Sequence, residues 1–375
     1  MAEAKQTGSM KLDPKYDQQD FPVVTPETRS GLPGHLDESQ QAQVDQLRMM
    51  LEGEGYKERL DTLTLLRFLR ARKFDVNAAK KMFIESEQWR KAVTITDNDK
   101  KPAVTRLLTL NDDTSVPPSE PVSLDEQVRT WDKDGSFKKE LSQYYKQFYH
   151  KTDKDGRPCY FEQLGGVDFE ALRAKKFTND KMLLNLAVEY EKMVDPKLPA
   201  CSRKAGHLLE TSCTVMDAAG VSILKPGPIY SYIMSASAMS NNNYPERLGK
   251  MYVLNVTWFL KTLWSVIKGF LDPVTASKIH ILGSDYKKTL LEQIPAENLP
   301  KKYGGKCECP GGCELSDAGP WKEAEWYKPA WWEKSADDAT IENKPTELGQ
   351  GGAAAGAPAD ATVTETAAAP APATS

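Results

Sequence analysis

YPERLGKMYVLNVTWFLKTLWSVIKGFLDPVTASKIHILG, residues 244 to 283, is the stretch that decides the fold. It contains two short apolar runs, Met251–Asn255 and Lys278–Leu282, which are rich in Val, Ile and Tyr. Gly, Asp and Pro flank both runs, so each is predicted to be a buried strand. The residues between them are enough for one crossover helix joining parallel strands. The stretch therefore predicts a βαβ unit within an α/β domain.

The predicted crossover helix carries polar residues in an unusual place. Lys261, Ser265 and Lys268 recur at i, i+4 and i+7 and form a narrow polar stripe. The apolar positions around the stripe are Trp258, Phe259, Leu263, Val266, Ile267 and Phe270. The helix by itself favours burial on most sides, with its lysines reaching water; the alternative is a mobile lid that lines an apolar cavity and touches a membrane. The two lysines and the closing Asp272-Pro273 argue against a transmembrane span.

Composition limits the class of protein. The 375 residues are 40% hydrophobic and 27% charged, with a formal net charge of −4, which suits one large and one small domain or two medium ones. The near-neutral charge balance provides no basic field for nucleic acid, and no nucleic-acid motif is present. The N-terminal residues contain no apolar run, so we expect no signal peptide, and we expect no transmembrane helix.

Periodicity and composition divide the chain into six predicted parts. Residues 1–37 are an N-terminal extension, 38–95 a small helical domain, 96–140 a connector and 141–310 an α/β domain. Residues 311–342 are a Trp-rich segment with Trp321, Trp326, Trp331 and Trp332, which either pack on the domain, the interpretation we favour, or anchor at a membrane interface. Residues 343–375 are rich in Ala and Pro and are expected to be disordered.

Within the α/β domain, strands and helices are predicted to alternate. Two further strands are predicted, Arg157–Leu164 and Leu208–Met216, and the helices are Asp168–Lys175, Asn179–Val194 and Ile229–Met239. His150–Gly156 is a charged turn. Four strands separated by helices predict a mainly parallel sheet, with a fifth strand that the sequence does not place.

The six cysteines are expected to be thiols in a reducing cytosol, at positions Cys159, Cys201, Cys213, Cys307, Cys309 and Cys313. The last three lie in a Gly-rich loop and raise the alternative of a metal site. The loop lacks the paired Cys-x-x-Cys spacing of zinc ribbons, and no histidine lies nearby in the sequence. We therefore predict no metal there, and a compact Gly-Gly turn with thiols packed beneath it.

Signatures of catalysis are missing from the sequence. It has no Gly-x-Ser-x-Gly elbow, no phosphate-binding Gly-rich loop and no dinucleotide fingerprint, so we predict that the protein is not an enzyme. Ser212, Cys213 and Thr214 lie in mid-strand without an evident partner base. Ser212 and Thr214 share one face of that strand. Their hydroxyls are either satisfied inside the core or form a cavity floor that binds a ligand's phosphate.

Several motifs in order resemble the CRAL-TRIO lipid-transfer family, and within it the fungal phosphatidylinositol/phosphatidylcholine transfer proteins of the secretory pathway. The helical domain contributes Leu65–Phe74, which reads LLRFLRARKF. The later motifs are Tyr149–Pro158, Leu198–Arg203, Glu210–Thr214, Tyr244–Arg247, Phe270–Thr275 and Ile294–Pro300. The resemblance covers roughly residues 32 to 321, and it is specific because several independent motifs occur together.

The resemblance implies a helical domain followed by a lipid-binding domain whose sheet floors an apolar pocket for one phospholipid. The Trp258–Leu271 helix matches the family's gate, which favours the lid interpretation. Shielding two acyl chains from water is a large term, since each buried methylene contributes about 0.8 kcal/mol. The implied partners are phosphatidylinositol, phosphatidylcholine, a transient membrane surface and lipid kinases, with no cofactor beyond the bound lipid. A cytoplasmic monomer, peripheral on Golgi or endosomal membranes, is expected.

The resemblance also assigns two headgroup sites. For phosphatidylcholine it gives Ser212 and Thr214 to the phosphate, and Tyr149, Tyr160 and Tyr190 to the choline, which suits aromatic attraction of a quaternary ammonium. For phosphatidylinositol it gives Arg72, Lys73, Asp153, Glu246, Arg247, Thr275 and Lys278, whose cations pair with phosphate and whose carboxylates accept inositol hydroxyls. Without the resemblance, the tyrosines read as core packing, the Arg72-Lys73 pair as a solvated helix end and Glu246-Arg247 as a surface ion pair.

Two departures from the family pattern affect moving parts. Lys225–Pro228 replaces a serine-rich helix start, and Val256-Thr257 replaces the Ala-Pro lead into the gate. The alternative function is a carrier or sensor of another hydrophobic ligand, such as a sterol or tocopherol. That alternative predicts that headgroup substitutions leave ligand loading unchanged.

Overall fold

A computed structural model describes residues 10–91, 122–221, 228–257 and 273–334. Its first part is a three-helix unit: α1 (Glu38–Gly53), α2 (Thr62–Ala71) and α3 (Val76–Arg90). An aspartate begins each helix by accepting a hydrogen bond from the third helical residue, at 2.8, 2.9 and 2.9 Å. The apolar faces of the three helices meet in a core that includes Val44, Leu66 and Phe83. The predicted helical domain is therefore present.

Two short helices lie within the predicted connector, α4 (Leu124–Thr130) and α5 (Ser136–Leu141). Leu124, Val128 and Leu141 are buried in the same apolar cluster as the helices of the α/β domain. The described end of the connector is thus part of the folded body. The sequence did not indicate these helices, because neither exceeds two turns and so neither is long enough for a helical pattern to stand out.

The sheet has five strands in the order β1 to β5, of which the last four are parallel. Their bounds are β1 Gln147–Thr152, β2 Pro158–Gln163, β3 Ser212–Asp217, β4 Leu248–Leu254 and β5 Ile279–Ile281. β1 is the strand that the sequence did not place, and it pairs antiparallel with β2. The predicted mainly parallel sheet is confirmed, with the correction that His150, assigned to a turn, lies in β1.

Helices cover both faces of the sheet. They are α6 (Phe169–Ala174), α7 (Asn179–Lys192), α8 (Leu198–Ala205), α9 (Pro228–Asn243), α10 (Pro273–Ser277), α11 (Lys287–Gln293) and α12 (Cys313–Ser316). A kink at Met193–Lys197, where Asp195 has the extended φ and ψ values of −148° and 122°, links α7 to α8. Tyr149 and Tyr160 face the cluster built by α7 and α9, whereas Phe148 and Phe161 face the opposite cluster under α11. The alternation of side chains along β1 and β2 therefore separates two cores.

The Trp-rich segment packs on the domain over its described residues, 311–334. Trp321 and Trp331 are 1% and 7% exposed, and Trp326 and Trp332 are partly buried against the same apolar cluster. Trp332 donates through its indole N–H to the Asp195 carbonyl at 3.0 Å. The favoured interpretation of packing is confirmed for these four residues.

Three predicted features lie outside the described residues: the gate helix at 258–271, the first three residues of the Lys225–Pro228 departure, and the Ala/Pro-rich tail. Among the helices that the structure does describe, none has the length and apolar character needed to cross a membrane.

Candidate functional site

One face of the sheet brings together most of the residues assigned to the choline lipid. Tyr149 pairs with Tyr160 across β1 and β2, and Tyr160 pairs with Thr214 across β2 and β3. The rings of Tyr149 and Tyr160 have centroids 5.0 Å apart. Ser212 lies two positions before Thr214 in β3 and therefore shares its face. The four side chains form a continuous patch on the sheet, below α7 and α9.

One hydroxyl in this patch, that of Tyr160, is buried without a hydrogen-bond partner among the described residues. Ser212 and Thr214 add two further side-chain hydroxyls on the same face of the sheet. Each of these residues is 8% exposed. Burial raises the pKa of Tyr160, so its hydroxyl keeps its proton and can donate. Because a buried unpaired polar group costs about 1–3 kcal/mol, this patch suits a ligand with a polar head.

Tyr190 stands apart from the other choline-site residues. It lies on α7, where its hydroxyl is 2.9 Å from the Ser240 hydroxyl. Its ring stacks on Tyr244 with centroids 4.6 Å apart. The Tyr190 hydroxyl is therefore already paired, and only its ring remains available to attract a cation.

A buried acidic network on the same face was not predicted from the sequence. Glu162 follows Tyr160 by two positions and accepts hydrogen bonds from the Tyr145 hydroxyl and from Gln147 Nε2, the latter at 3.1 Å. Gln147 also donates to the Tyr232 hydroxyl at 2.9 Å. Burial raises the pKa of Glu162. The alternation of Tyr160 and Glu162 within an apolar strand was the available signal.

The structure places Glu246, Arg247 and Lys278 at one edge of the sheet. Glu246 and Arg247 immediately precede β4, and Lys278 immediately precedes β5, which runs parallel to β4. Lys278 is half-buried, and no ion pair connects it to an acidic residue in the described ranges. Thr275 lies one turn earlier in α10, where its carbonyl accepts from the Lys278 backbone N–H at 3.1 Å. This edge therefore presents two cations from neighbouring strands.

Asp153 holds the turn between β1 and β2. Its carboxylate accepts hydrogen bonds from the backbone N–H groups of Asp155 and Arg157 at 3.0 and 2.8 Å. It also accepts from the Arg157 guanidinium at 3.3 Å and from Gln293 Nε2 at 2.8 Å. Burial raises the pKa of Asp153. Its carboxylate oxygens are occupied within the protein, which gives this residue a turn-holding role in the structure.

Glu210 connects the helical unit to this edge of the sheet. Its carboxylate accepts from Arg67 at 3.0 Å and Arg70 at 2.8 Å, and the Arg247 guanidinium donates to the Glu210 carbonyl at 3.1 Å. Burial opposes ionisation of Glu210, but Arg70 and Arg67 hold its pKa below the usual value. Arg72 and Lys73, which follow α2, are exposed beyond this cluster. The bridging role of Glu210 was not predicted.

The cysteine loop contains a histidine neighbour that the sequence did not reveal. His150 Nε2 lies 3.3 Å from Cys307 Sγ, because β1 passes directly beneath the loop. The fold therefore supplies a histidine that the sequence around the loop lacks. Burial lowers the pKa of His150 to about 4, so the ring is neutral at pH 7.

Comparisons with known proteins agree with the fold. The family model described as CRAL/TRIO domain matches residues 142–305, and the CRAL/TRIO, N-terminal domain model matches residues 35–85. A Sec14 cytosolic factor from Schizosaccharomyces pombe is 49% identical over 306 residues, covering 82% of this chain and 96% of that protein. A SEC14 cytosolic factor from Candida glabrata is 48% identical over 308 residues, covering 80% and 89%.

A plant relative is more distant. The phosphatidylinositol/phosphatidylcholine transfer protein SFH4 from Arabidopsis thaliana is 37% identical over 267 residues, covering 70% of this chain and 39% of that protein. Relatives of this chain therefore occur in both fungi and plants.

Proposed function

The chain belongs to the CRAL/TRIO family, and on that premise we propose that it exchanges single molecules of phosphatidylinositol and phosphatidylcholine between its interior and membranes. The plant relative, which is named a phosphatidylinositol/phosphatidylcholine transfer protein, supports this class of activity. Exchange of this kind makes and breaks no covalent bond, so the protein acts as a carrier and not as an enzyme. The bound phospholipid is then its ligand, and no cofactor is required.

The observation that carries the proposal is the buried hydroxyl of Tyr160, which has no partner among the described residues and lies on one face of the sheet with Ser212 and Thr214. A lipid phosphate has several acceptor oxygens, and hydrogen bonds to a charged group contribute about 1.5–3 kcal/mol each. The ring of Tyr149 lies 5.0 Å from that of Tyr160, so the two rings form one aromatic surface of the kind that attracts a cation, and the Lys197 ammonium already lies 5.4 Å from the Tyr149 ring. These groups suit phosphatidylcholine.

The inositol lipid is proposed to use the sheet edge formed by Glu246, Arg247 and Lys278. Lys278 supplies a cation for phosphate, and Glu246 supplies acceptors for inositol hydroxyls. Thr275, Arg72 and Lys73 are included on the family pattern. We retain Asp153 as a supporting residue, since its carboxylate orders the turn beside this edge.

The test begins with native mass spectrometry of the purified protein, followed by extraction and identification of bound lipid. The expected result is one phosphatidylinositol or one phosphatidylcholine per chain. Ser212→Ala combined with Thr214→Val is expected to remove phosphatidylcholine and to retain phosphatidylinositol, because it deletes two hydroxyls with little change in volume. Ser136→Ala, which removes an exposed hydroxyl outside the patch, is the matched control.

Transfer of labelled phospholipid from donor to acceptor vesicles measures the activity itself. Recovery of intact lipid after incubation supports a carrier, whereas hydrolysed lipid would contradict it. Loading with a sterol or tocopherol, unaffected by the double variant, would favour the alternative carrier function.

We further propose that the protein acts as a cytoplasmic monomer that visits Golgi or endosomal membranes transiently and presents phosphatidylinositol to lipid kinases. The 258–271 segment, matched to the family's gate, would open at the membrane. Fluorescent tagging and size-exclusion chromatography test the location and the oligomeric state separately.

A further inference from the structure

Three thiols and one imidazole converge where β1 meets the loop before α12. The ligand atoms of His150, Cys307, Cys309 and Cys313 all lie within 4.8 Å of one another. His150 and Cys307 are 157 positions apart in the chain, so the fold brings them together. Cysteine sulfur and histidine nitrogen are the donors that structural zinc sites use.

The separations match those of a coordination sphere. His150 Nε2 is 3.3 Å from Cys307 Sγ, and the sulfurs of Cys307 and Cys309 are 3.8 Å apart. Around a tetrahedral zinc with bonds of about 2.0 Å to nitrogen and 2.3 Å to sulfur, neighbouring donor atoms lie about 3.5–3.8 Å apart. The imidazole and the two thiols are therefore already spaced as ligands.

Hydrogen bonds orient the histidine for coordination through Nε2. The Ser316 hydroxyl donates to the Cys313 carbonyl at 2.9 Å, so its oxygen accepts from Nδ1 of His150 at 3.0 Å. Nδ1 thus carries the proton, which leaves the lone pair of Nε2 directed at the thiols. Metal-bound histidines are oriented by a partner on their other nitrogen in the same way.

The backbone of the loop holds the cysteines in place. Cys307 donates to the Leu299 carbonyl at 3.1 Å, and its own carbonyl accepts from Lys301 at 3.0 Å. Gly311 and Gly312 have φ values of +77° and +96°, in a region that glycine alone adopts readily, and this reversal returns Cys313 to the other thiols. The turn predicted from the sequence is therefore present, and it closes a four-ligand cage.

We propose that His150, Cys307, Cys309 and Cys313 bind one zinc ion in a structural site, which revises the prediction of no metal in this loop. The four protein ligands complete a tetrahedron and leave no position for water or substrate, as expected for a structural site. Cadmium or iron in a thiolate-rich site would share this chemistry, but an imidazole with three thiolates in a tetrahedron is typical of zinc.

The ion would attach the segment after Cys307 to the edge of the sheet. Beyond the ligands, the Ala318 carbonyl accepts from the Lys151 backbone N–H at 2.6 Å, and Asp317 pairs with Lys197 at 3.3 Å. Lys197 lies 5.4 Å from the centroid of the Tyr149 ring. The metal therefore stabilises a wall beside β1, and the inference does not depend on which lipid the protein carries.

The test uses the full chain, purified under reducing conditions without a polyhistidine tag, which would itself carry metal. Inductively coupled plasma mass spectrometry should find one zinc per chain. Exchange for Co²⁺ should give the intense visible bands of a tetrahedral cobalt thiolate. Cys309→Ser and Cys313→Ser should each lose the zinc, whereas Cys201→Ala, which removes a buried thiol outside the cluster, should keep it. Ser316→Ala should retain the ligands and weaken zinc affinity about tenfold.

Cys309 is partly exposed, so Cys309→Ser is the variant that tests coordination with least risk to folding. Circular dichroism then confirms that the variant is folded, and chelation of the native protein should lower its Tm while leaving that of the variant unchanged. Absence of zinc together with failure of the reduced protein to bind added Zn²⁺ or Co²⁺ would overturn the proposal. A disulfide among the three cysteines, or zinc retained in both serine variants, would also overturn it.

Discussion

Tyr160→Phe is the substitution that best separates a ligand-binding hydroxyl from a structural one. Within the described part of the chain the Tyr160 hydroxyl is buried without a hydrogen-bond partner, whereas the ring contacts Tyr149 at 5.0 Å between centroids. Phenylalanine keeps the ring contact and removes only the unpaired group. Because such a group costs about 1–3 kcal/mol when buried, the lipid-free variant should be as stable as the native protein or more stable by about 1 kcal/mol.

Binding of phosphatidylcholine should change in the opposite direction. Loss of one hydrogen bond to a charged headgroup costs about 1.5–3 kcal/mol, which corresponds to roughly 10- to 100-fold weaker loading. The assays are urea denaturation of delipidated protein and competition between phosphatidylcholine and phosphatidylinositol vesicles. Stability and lipid affinity are thus expected to move apart in a single variant.

Tyr145→Phe is the matched control, since the Tyr145 hydroxyl donates to Glu162 on the same face. Its loss should lower the free energy of unfolding by about 1–3 kcal/mol. If Tyr160→Phe destabilises the lipid-free protein equally, the Tyr160 hydroxyl has a protein partner and the reasoning fails. Unchanged loading with phosphatidylcholine would remove this hydroxyl from the proposed site.

Three further predictions concern charge. Lys278→Ala should reduce loading with phosphatidylinositol at least tenfold and leave loading with phosphatidylcholine unchanged, whereas Lys288→Ala, at an exposed lysine, should change the loading of neither lipid. Lipid extraction and mass spectrometry measure both lipids in both variants. Equal loss of the two lipids in Lys278→Ala would contradict a headgroup role for this lysine. Burial raises the pKa of Asp195 to about 6, so the folded state holds its proton more tightly than the unfolded state, and the protein loses stability as the pH rises from about 4 to 6. In urea denaturation, Asp195→Asn should therefore add about 3 kcal/mol to the free energy of unfolding at pH 8 and little at pH 4. An equal effect at both pH values would refute this prediction. Glu210→Gln should cost about 3–5 kcal/mol, because it removes the counter-charge of Arg67 and leaves Arg70 with the more distant Glu246, at 4.0 Å. Glu323→Gln, in an exposed pair with Lys204, should cost under about 1 kcal/mol. Similar costs for the two variants would show that the Glu210 cluster contributes no more than an exposed pair.

Strands and helices with a regular apolar pattern could be predicted, because that pattern lies within a few neighbouring residues. β3 and β4 are apolar runs between turn residues, and α7 shows its apolar face in Leu183, Leu184 and Ala187. β1 escaped prediction because it continues into charged residues that resemble a turn. Its place beside β2 depends on pairing with Tyr160 and Phe161, which single-strand periodicity does not encode.

For the candidate site, the sequence predicts which side chains of one strand share a face, but not which of them already have partners within the protein. Ser212 and Thr214 were recognised as sharing a face, since side chains alternate along a strand. The Asp153 carboxylate accepts hydrogen bonds from Arg157 and Gln293. The sequence could not predict the second of these contacts, because Gln293 lies 140 positions away. For the same reason, the sequence did not show that His150 lies beside the cysteine loop. Local sequence patterns do not predict contacts between residues that are distant in the chain and close in space.

The hydrogen bonds of Glu210 with Arg67 and Arg70 also affect the order in which parts of the chain can fold during synthesis. Arg67 meets Glu210 across 143 positions, so the helical unit leaves the ribosome with two arginines that lack their acid. Domains generally fold as they emerge, N-terminal part first. The three helices can form their own core early, but their docking must wait until β3 has been translated. Slowing translation before codon 210 should therefore prolong a nascent state whose helical unit is folded and accessible to protease at its junction.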